Sequence, residues 1–107
     1  MLTVHDVTAL PELETVVLEE NRDIHSVFCC DMLSIAMAKA PSDSAWVTVM
    51  GNKNVIAVAA LADVSCVIIA EGYDFDGPAM EAAKGKVTLL KSPLPVFETA
   101  RMVHEKL

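Results

Sequence analysis

Apolar and polar residues alternate along this chain with two different periods, and the period separates predicted strands from predicted helices. Residues 4–10 have helical spacing; the hydroxyl of Thr3 is suited to cap them, and Pro11 ends the helix. Two runs rich in β-branched and aromatic residues follow. We predict both as strands, over residues 14–18 and 23–29.

The later segments alternate more regularly between the two patterns. Asp31 stands directly before apolar residues at helical spacing, so we predict that its carboxylate caps a helix over residues 32–40. Ser92 is likewise predicted to cap the last helix, with Pro93 and Pro95 in its first turn, where a missing N–H costs little. Between them the pattern predicts strands over residues 45–50, 64–70 and 87–90 and helices over residues 54–62 and 78–84.

This repeated order of strand and helix is typical of right-handed βαβ units. We therefore expect an α/β fold, with a mainly parallel β-sheet covered by helices. The 107 residues suit one domain, because the sequence shows no repeat, low-complexity tract or linker, and Gly and Pro fall between the periodic segments. We expect residues 1–107 to form that single domain.

The composition adds two constraints. Eight Lys and Arg against fifteen Asp and Glu give a formal net charge of −7, with a pI of about 4.7, which argues against binding to a nucleic-acid backbone. Apolar residues make up 53% of the chain and the mean hydropathy is +0.43, which is more apolar surface than one small core easily buries. This excess predicts self-association. We expect the helix over residues 54–62, which has no polar face, to be buried on all sides.

The pattern predicts neither export nor membrane insertion. The first residues lack a basic region followed by an apolar stretch, and the most apolar run is only about 16 residues long, where a spanning helix needs ~20. We expect a cytoplasmic protein. Its three cysteines are odd in number and form no CxxC pair, so Cys29, Cys30 and Cys66 are expected to be reduced and largely buried.

Five short apolar stretches share their order and spacing with a known family. They read Cys-Asp-Met-Leu-Ser at 30–34, Ala-Trp-Val-Thr-Val at 45–49, Asn-Val-Ile-Ala-Val-Ala at 54–59, Val-Ile-Ile at 67–69 and Leu-Lys-Ser-Pro-Leu-Pro-Val-Phe-Glu at 90–98. Together they resemble the small stand-alone proteins of the DRTGG-domain family over nearly the whole chain. In the segment that names the family, Arg22 matches, whereas Asn21 replaces Asp, His25 replaces Thr, and Ser26 and Val27 replace the two Gly.

The resemblance implies a regulatory or ligand-sensing module rather than an enzyme. Members of this family are similar to the N-terminal domain of bacterial HPr kinase/phosphorylase, and the stand-alone proteins are often encoded near components of iron-only hydrogenase. The resemblance therefore also implies a link to such a hydrogenase system, and it identifies no cofactor.

The turn after the third predicted strand is the best candidate for binding a small anion. Gly51, Asn52, Lys53 and Asn54 follow a strand and open a helix, so free N–H groups and the positive end of the helix dipole point into one space. Lys53 adds charge, although the GxxxxGK spacing of a P-loop is missing. The alternative is a plain turn with Asn54 as an N-cap.

The same edge of the sheet is expected to collect further polar residues. Strands ending near Met50, Ala70 and Leu90 each lead into a loop that opens a helix, and parallel strands bring such loops together. The predicted ligand-binding residues are therefore Gly51, Asn52, Lys53, Asn54, Glu71 and Ser92.

The other polar clusters predict no catalytic or metal site. His5, His25 and His104 lie far apart and share no metal-ligand spacing. The acidic segment over residues 71–76 lacks the EF-hand pattern, so we interpret it as a solvated loop. His25 and Cys29 fall on one face of a predicted strand but about 13 Å apart, too far for the imidazole to activate the thiol.

Two functions remain open. The first is a non-enzymatic regulatory or ligand-sensing domain that binds a small anionic ligand or a partner protein. The second is an accessory enzyme of phosphoryl or acyl transfer. The acidic charge, the small size and the lack of a catalytic motif favour the first. We expect a homodimer or larger homo-oligomer, without a nucleic-acid or membrane partner.

Overall fold

The chain forms five strands and five helices, which alternate from Ser26 onward, and this confirms the predicted α/β class. The computed structural model describes all 107 residues. The strands are β1 Glu14–Val17, β2 Ser26–Cys29, β3 Ser44–Thr48, β4 Cys66–Ile69 and β5 Thr88–Lys91. The helices are α1 Val4–Thr8, α2 Leu33–Lys39, α3 Lys53–Ala62, α4 Gly77–Ala83 and α5 Val96–His104.

All five strands form one sheet in the order β1-β5-β4-β3-β2. β2 to β5 run parallel to one another, so Ala45 lies opposite Cys66, and Cys66 opposite Thr88. β1 runs antiparallel to β5 at one edge, with Glu14 opposite Lys91. The sheet is thus mainly parallel, as predicted, and the carboxyl ends of four strands meet at one edge.

Helices cover both faces of the sheet and create two apolar layers. α2, α3 and α4 pack over Trp46, Val67 and Leu89, while α1 and α5 pack over the neighbouring residues on the opposite face. Because both faces are covered, the central strands are buried throughout, which explains their continuous apolar sequences. Trp46 is fully buried and its Nε1–H donates to Cys30 O at 3.0 Å, so this residue anchors the core.

Near the amino terminus, one cap is confirmed and one strand is shorter than predicted. Thr3 Oγ1 accepts from Asp6 N–H and the Asp6 carboxylate accepts from Thr3 N–H, a reciprocal capping box that begins α1. The strand predicted over residues 23–29 begins only at Ser26. Asp23 instead forms an antiparallel bridge with Thr3, which holds the segment before β2 beside the amino terminus.

The prediction that Asp31 caps α2 is wrong. The N-cap position of α2 is Met32, and no side chain is bonded there. Asp31 Oδ1 accepts from the hydroxyl of Thr48 and from Val49 N–H, both at 2.8 Å. The carboxylate therefore satisfies donors at the end of the adjacent strand β3, a contact that local sequence spacing does not reveal.

The predicted cap of the last helix is also wrong. α5 begins at Val96, so Pro93 and Pro95 precede the helix instead of forming its first turn. Ser92 is buried; its Oγ accepts from Leu94 N–H at 3.0 Å and shares a hydrogen bond with Thr99 Oγ1 at 2.8 Å. The cap comes from another loop, as described below.

α3 differs from its prediction in its burial. Val55, Ile56, Val58 and Ala59 face the sheet and are buried, but Leu61 is 76% exposed. The helix lies between α2 and α4, and its exposed residues are Lys53, Asn54, Ala57, Ala60 and Leu61, of which only Leu61 exposes a large apolar side chain. α3 is therefore not buried on all sides, and it gives no reason by itself to expect self-association.

Two further expectations concern membranes and thiols. None of the helices is long and apolar enough to span a bilayer. All three cysteines are free, but only Cys66 is buried, whereas Cys30 is partly exposed and Cys29 is exposed. The expectation that the thiols are largely buried is thus wrong for Cys29, because β2 is an edge strand.

Candidate functional site

The predicted ligand-binding residues lie on loops at the carboxyl edge of the sheet. β3 and β4 run parallel, as the prediction required, so the loop after β3 lies beside the loop after β4. Gly51, Asn52, Lys53 and Asn54 belong to the first loop and the start of α3, Glu71 to the second loop, and Ser92 follows β5. The structure thus brings the three loops together, but the residues differ in what they have free to offer a ligand.

Gly51 holds the first two loops in contact. Gly51 O accepts from Asp76 N–H at 2.9 Å. A Cβ built on Gly51 would lie 2.5 Å from Asp74 O, closer than side chains come to backbone atoms, and in tight contact with Phe75 Cα at 3.1 Å. Glycine at this position therefore serves close packing of two backbones.

Glu71 and Ser92 are both engaged within the fold. Glu71 Oε2 accepts from Val96 N–H at 2.8 Å and caps the start of α5, where a carboxylate also favours the helix dipole. Ser92 is fully buried and bonded to Leu94 and Thr99. Ser92 therefore presents no free group to a ligand, and Glu71 retains only its second carboxylate oxygen, whose negative charge would repel an anion.

The start of α3 retains unpaired donors. Asn52 is the N-cap, instead of Asn54, and its Oδ1 accepts from Asn54 N–H at 2.9 Å and Val55 N–H at 3.4 Å. The N–H groups of Gly51, Asn52 and Lys53 have no acceptor in the protein. The exposed side chains of Lys53 and Asn54 also form no hydrogen bond or ion pair. The donors that the sequence places here are therefore accessible.

The acidic residues of the neighbouring loop are largely occupied. Asp74 forms an ion pair with Lys91, and this hydrogen bond raises the pKa of Lys91 above its ordinary value. Asp76 Oδ1 accepts from Ala79 N–H at 2.8 Å and caps α4. The Glu71 carboxylate likewise accepts from the start of α5. All three carboxylates of this loop therefore have a partner, which partly compensates their negative charge near the start of α3.

Arg22, the residue that matches the DRTGG pattern, lies at the opposite, amino end of the strands. Its guanidinium donates to Asp43 Oδ1 at 2.7 Å, to Asp63 Oδ1 at 2.9 Å, and to the carbonyls of Asp63 and Val64 at 3.1 Å. Burial alone would lower the pKa of Arg22, but the hydrogen bond to Asp43 and the charge of Asp63 raise it above its ordinary value. Arg22 therefore joins the turns that precede β3 and β4.

A groove that the sequence analysis missed lies between β2 and α5. It has a volume of about 430 Å³ and an apolar floor with two basic groups at its rim. A signal for it is present in the sequence: four of its residues are spaced i, i+3, i+4 and i+7 on α5. The lining residues are Val27, Cys29, Phe97, Ala100, Arg101 and His104.

The thiol and imidazole groups form no reactive cluster. Burial raises the pKa of Cys29, and the nearby charge of Asp31 raises it further, which disfavours the nucleophilic thiolate. The structure holds no group of three or more His, Cys, Asp or Glu side chains arranged to bind a metal ion.

Comparisons with known proteins add no relative. No family model matches the chain, and no curated protein matches it.

Proposed function

We propose that this chain is a non-enzymatic regulatory domain of the DRTGG type that senses a small anionic ligand at the start of α3. The observation that carries this proposal is the set of three consecutive backbone N–H groups, at Gly51, Asn52 and Lys53, that have no acceptor in the protein. They lie at the carboxyl edge of a parallel sheet, where α/β proteins commonly bind ligands. The resemblance to the DRTGG family supports the regulatory role and a link to an iron-only hydrogenase system.

The chemistry of this edge favours an anion over a cation. The N–H groups and the helix dipole present partial positive charge, and the unpaired ammonium of Lys53 adds a full one. The neighbouring carboxylates of Glu71 and Asp76 already accept hydrogen bonds from helix starts, and that of Asp74 is paired with Lys91. A phosphate or carboxylate group is the ligand class that fits these donors.

The experiment is an NMR titration of the protein with inorganic phosphate, acetyl phosphate and a nucleoside triphosphate in turn. We expect saturable shifts of the Gly51, Asn52 and Lys53 amide signals with at least one of these probes. Lys53→Ala should weaken that binding about fivefold or more, since it removes one charge. Lys86→Ala is the matched control, because Lys86 is also exposed and unpaired but precedes β5 at the other end of the sheet.

Two results would contradict the proposal. If no probe shifts these amides, the donors at the start of α3 do not form an anion site. If acetyl phosphate or the nucleotide is consumed, and Lys53→Ala abolishes turnover, the protein is an accessory enzyme of phosphoryl or acyl transfer instead of a sensor.

A further inference from the structure

The two edge strands of the sheet differ in their protection against pairing with another strand. β1 carries Glu14, and its register with β5 shifts between Thr15 and Val17; both features discourage strand addition. β2 reads Ser-Val-Phe-Cys, without a charge or a proline. The β2 edge is therefore an open template for another strand.

The contacts between β2 and β3 determine which backbone groups remain open. Cys30 N–H donates to Val47 O at 3.4 Å, and Cys29 lies opposite Val47. Because residues of a parallel strand turn alternately to its two sides, Phe28 and Cys30 face β3. The N–H and C=O groups of Val27 and Cys29 then face solvent.

We propose that two copies of this chain pair antiparallel through β2, around a twofold axis at Phe28. In this register Val27 lies opposite the partner's Cys29, and the twofold axis generates a second, equivalent pair. Each of the two pairs exchanges two N–H···O hydrogen bonds, because the open backbone groups face each other. If the axis lay at Val27 instead, His25 would lie opposite the partner's Cys29, but His25 N–H is already bound to Asp43 O at 2.7 Å. That register would leave only the pair at Val27 able to exchange both hydrogen bonds. The open backbone groups thus select one register.

The same register matches a hydrogen-bond donor with an acceptor at both ends of the paired strands. It places His25 opposite the partner's Asp31, and symmetry repeats this match at the other end. Within its own chain Asp31 uses only Oδ1, so Oδ2 is available to a partner. The side chain of His25 is 52% exposed, and its Nδ1 is 3.9 Å from Asp43. The match between the His25 imidazole and the Asp31 carboxylate is independent of the backbone argument that fixed the register.

Exposed apolar side chains flank the β2 edge on both faces. On one face the groove beside β2 ends in Phe97, 67% exposed, and in Ala100, whose small side chain allows a second α5 to approach. On the other face, apolar side chains are exposed at Met32, the N-cap position of α2, and at Ile35 within this helix, which packs beside α3. A second copy seated on β2 would remove these groups from water. This interface does not involve the anion site at α3, so the two proposals fail or succeed separately.

The first test is the mass of the protein in solution, measured by sedimentation velocity across micromolar concentrations. We expect twice the 11.5 kDa of one chain. Cys29→Lys should raise the dimer dissociation constant by about tenfold or more, because it introduces two like charges into the paired strands beside Arg101 and His104. Leu61→Lys, at an exposed position on α3 far from the β2 edge in the sequence, should leave the constant unchanged.

The second test measures the register by disulfide formation in a Cys29→Ser, Cys30→Ser background. Phe28→Cys should crosslink two chains upon oxidation, because the residue on the axis faces its own copy with Cα atoms about 4.5 Å apart. Ser26→Cys is the control, since its two copies would lie about 13 Å apart along the strands.

A protein that stays monomeric throughout this range contradicts the proposal and leaves the β2 edge to a different strand or to a small apolar ligand. A dimer that Cys29→Lys does not weaken, or one that Ser26→Cys crosslinks and Phe28→Cys does not, contradicts the proposed interface.

Discussion

The Arg22 guanidinium lies 2.7 Å from the Asp43 carboxylate, and the two residues link segments that are 21 residues apart in sequence. Asp43 and Asp63 both have positive φ, in turns that directly precede β3 and β4. Asp43 N–H also donates to Asp63 O at 3.0 Å. The amino ends of the two central strands are thus aligned by one planar cation with several donors.

Replacing Arg22 should therefore destabilise the whole sheet. Arg22→Ala is expected to lower the free energy of unfolding by about 2 kcal/mol, since it leaves the Val64 carbonyl without its donor and the carboxylates of Asp43 and Asp63 without their cation. Arg22→Lys should recover only part of this loss, because an ammonium cannot bond both turns with the same fork geometry. Urea unfolding followed by Trp46 fluorescence measures both. Equal stability of the alanine variant and the wild type would contradict this role.

Asp31 should stabilise the end of β3, not the start of α2. Asp31→Ala leaves the Thr48 hydroxyl and Val49 N–H unpaired and should cost about 1–2 kcal/mol in urea unfolding. Asp31→Asn keeps an acceptor oxygen and should cost less. Amide hydrogen exchange distinguishes the two interpretations: faster exchange at Val49 in Asp31→Ala supports the strand contact, whereas faster exchange confined to α2 would support the cap.

Gly51 and Gly77 form a matched pair for testing loop packing. Gly51→Ala should destabilise the protein by about 1–3 kcal/mol, because the new Cβ would collide with Asp74 O and Phe75. Gly77→Ala meets no atom within 4 Å and lies at the start of α4, so it should be neutral or slightly stabilising. Thermal unfolding of both variants measures this difference. Similar melting temperatures for the two would show that the loops do not pack closely.

Cys66 should make the stability depend on alkaline pH. Burial raises the pKa of its thiol to about 12, against a smaller lowering by the charge of Arg22. An unfolded thiol loses its proton near roughly pH 8.5, so between that pH and about 12 the unfolded chain binds fewer protons than the folded one. The free energy of unfolding should then fall as pH rises, by about 1.4 kcal/mol per pH unit from this group.

The control for the alkaline effect is Cys66→Ala. Lys, Tyr and Arg also titrate in this range, so the relevant quantity is the difference in unfolding free energy between wild type and variant, measured at several pH values. We expect this difference to change with pH above about 9. A constant difference would show that Cys66 titrates normally.

The sequence predicted the fold class well because its signal is local and repeated. Strands β3 and β4 are covered on both faces, and their continuous apolar runs are readable without knowledge of the fold. The hydrogen-bond partners of Asp31 and Ser92, which cap no helix, could not be predicted in the same way. For each side chain, a local N–H competes with donors that the fold brings close, and only the tertiary structure determines which donor it binds.

The candidate site was also predicted only in part from the sequence. Sequence order placed Gly51, Lys53 and Glu71 at one edge, because the carboxyl ends of parallel strands must meet. It could not show that Glu71 binds α5, nor that Gly51 is required by the backbone of Asp74. The β2–α5 groove was missed because helical spacing of this kind also occurs on ordinary buried faces.

The order of strands in the sheet also governs how this protein must assemble during synthesis. β1 is made first, yet its only partner is β5, where Glu14 meets Lys91. Until the last strand has left the ribosome, β1 has no strand to pair with, and its backbone groups stay exposed. Such nonlocal pairing slows folding and prolongs exposure to aggregation. The charge of Glu14 on β1 therefore discourages wrong strand pairing of the nascent chain during the interval before the sheet closes.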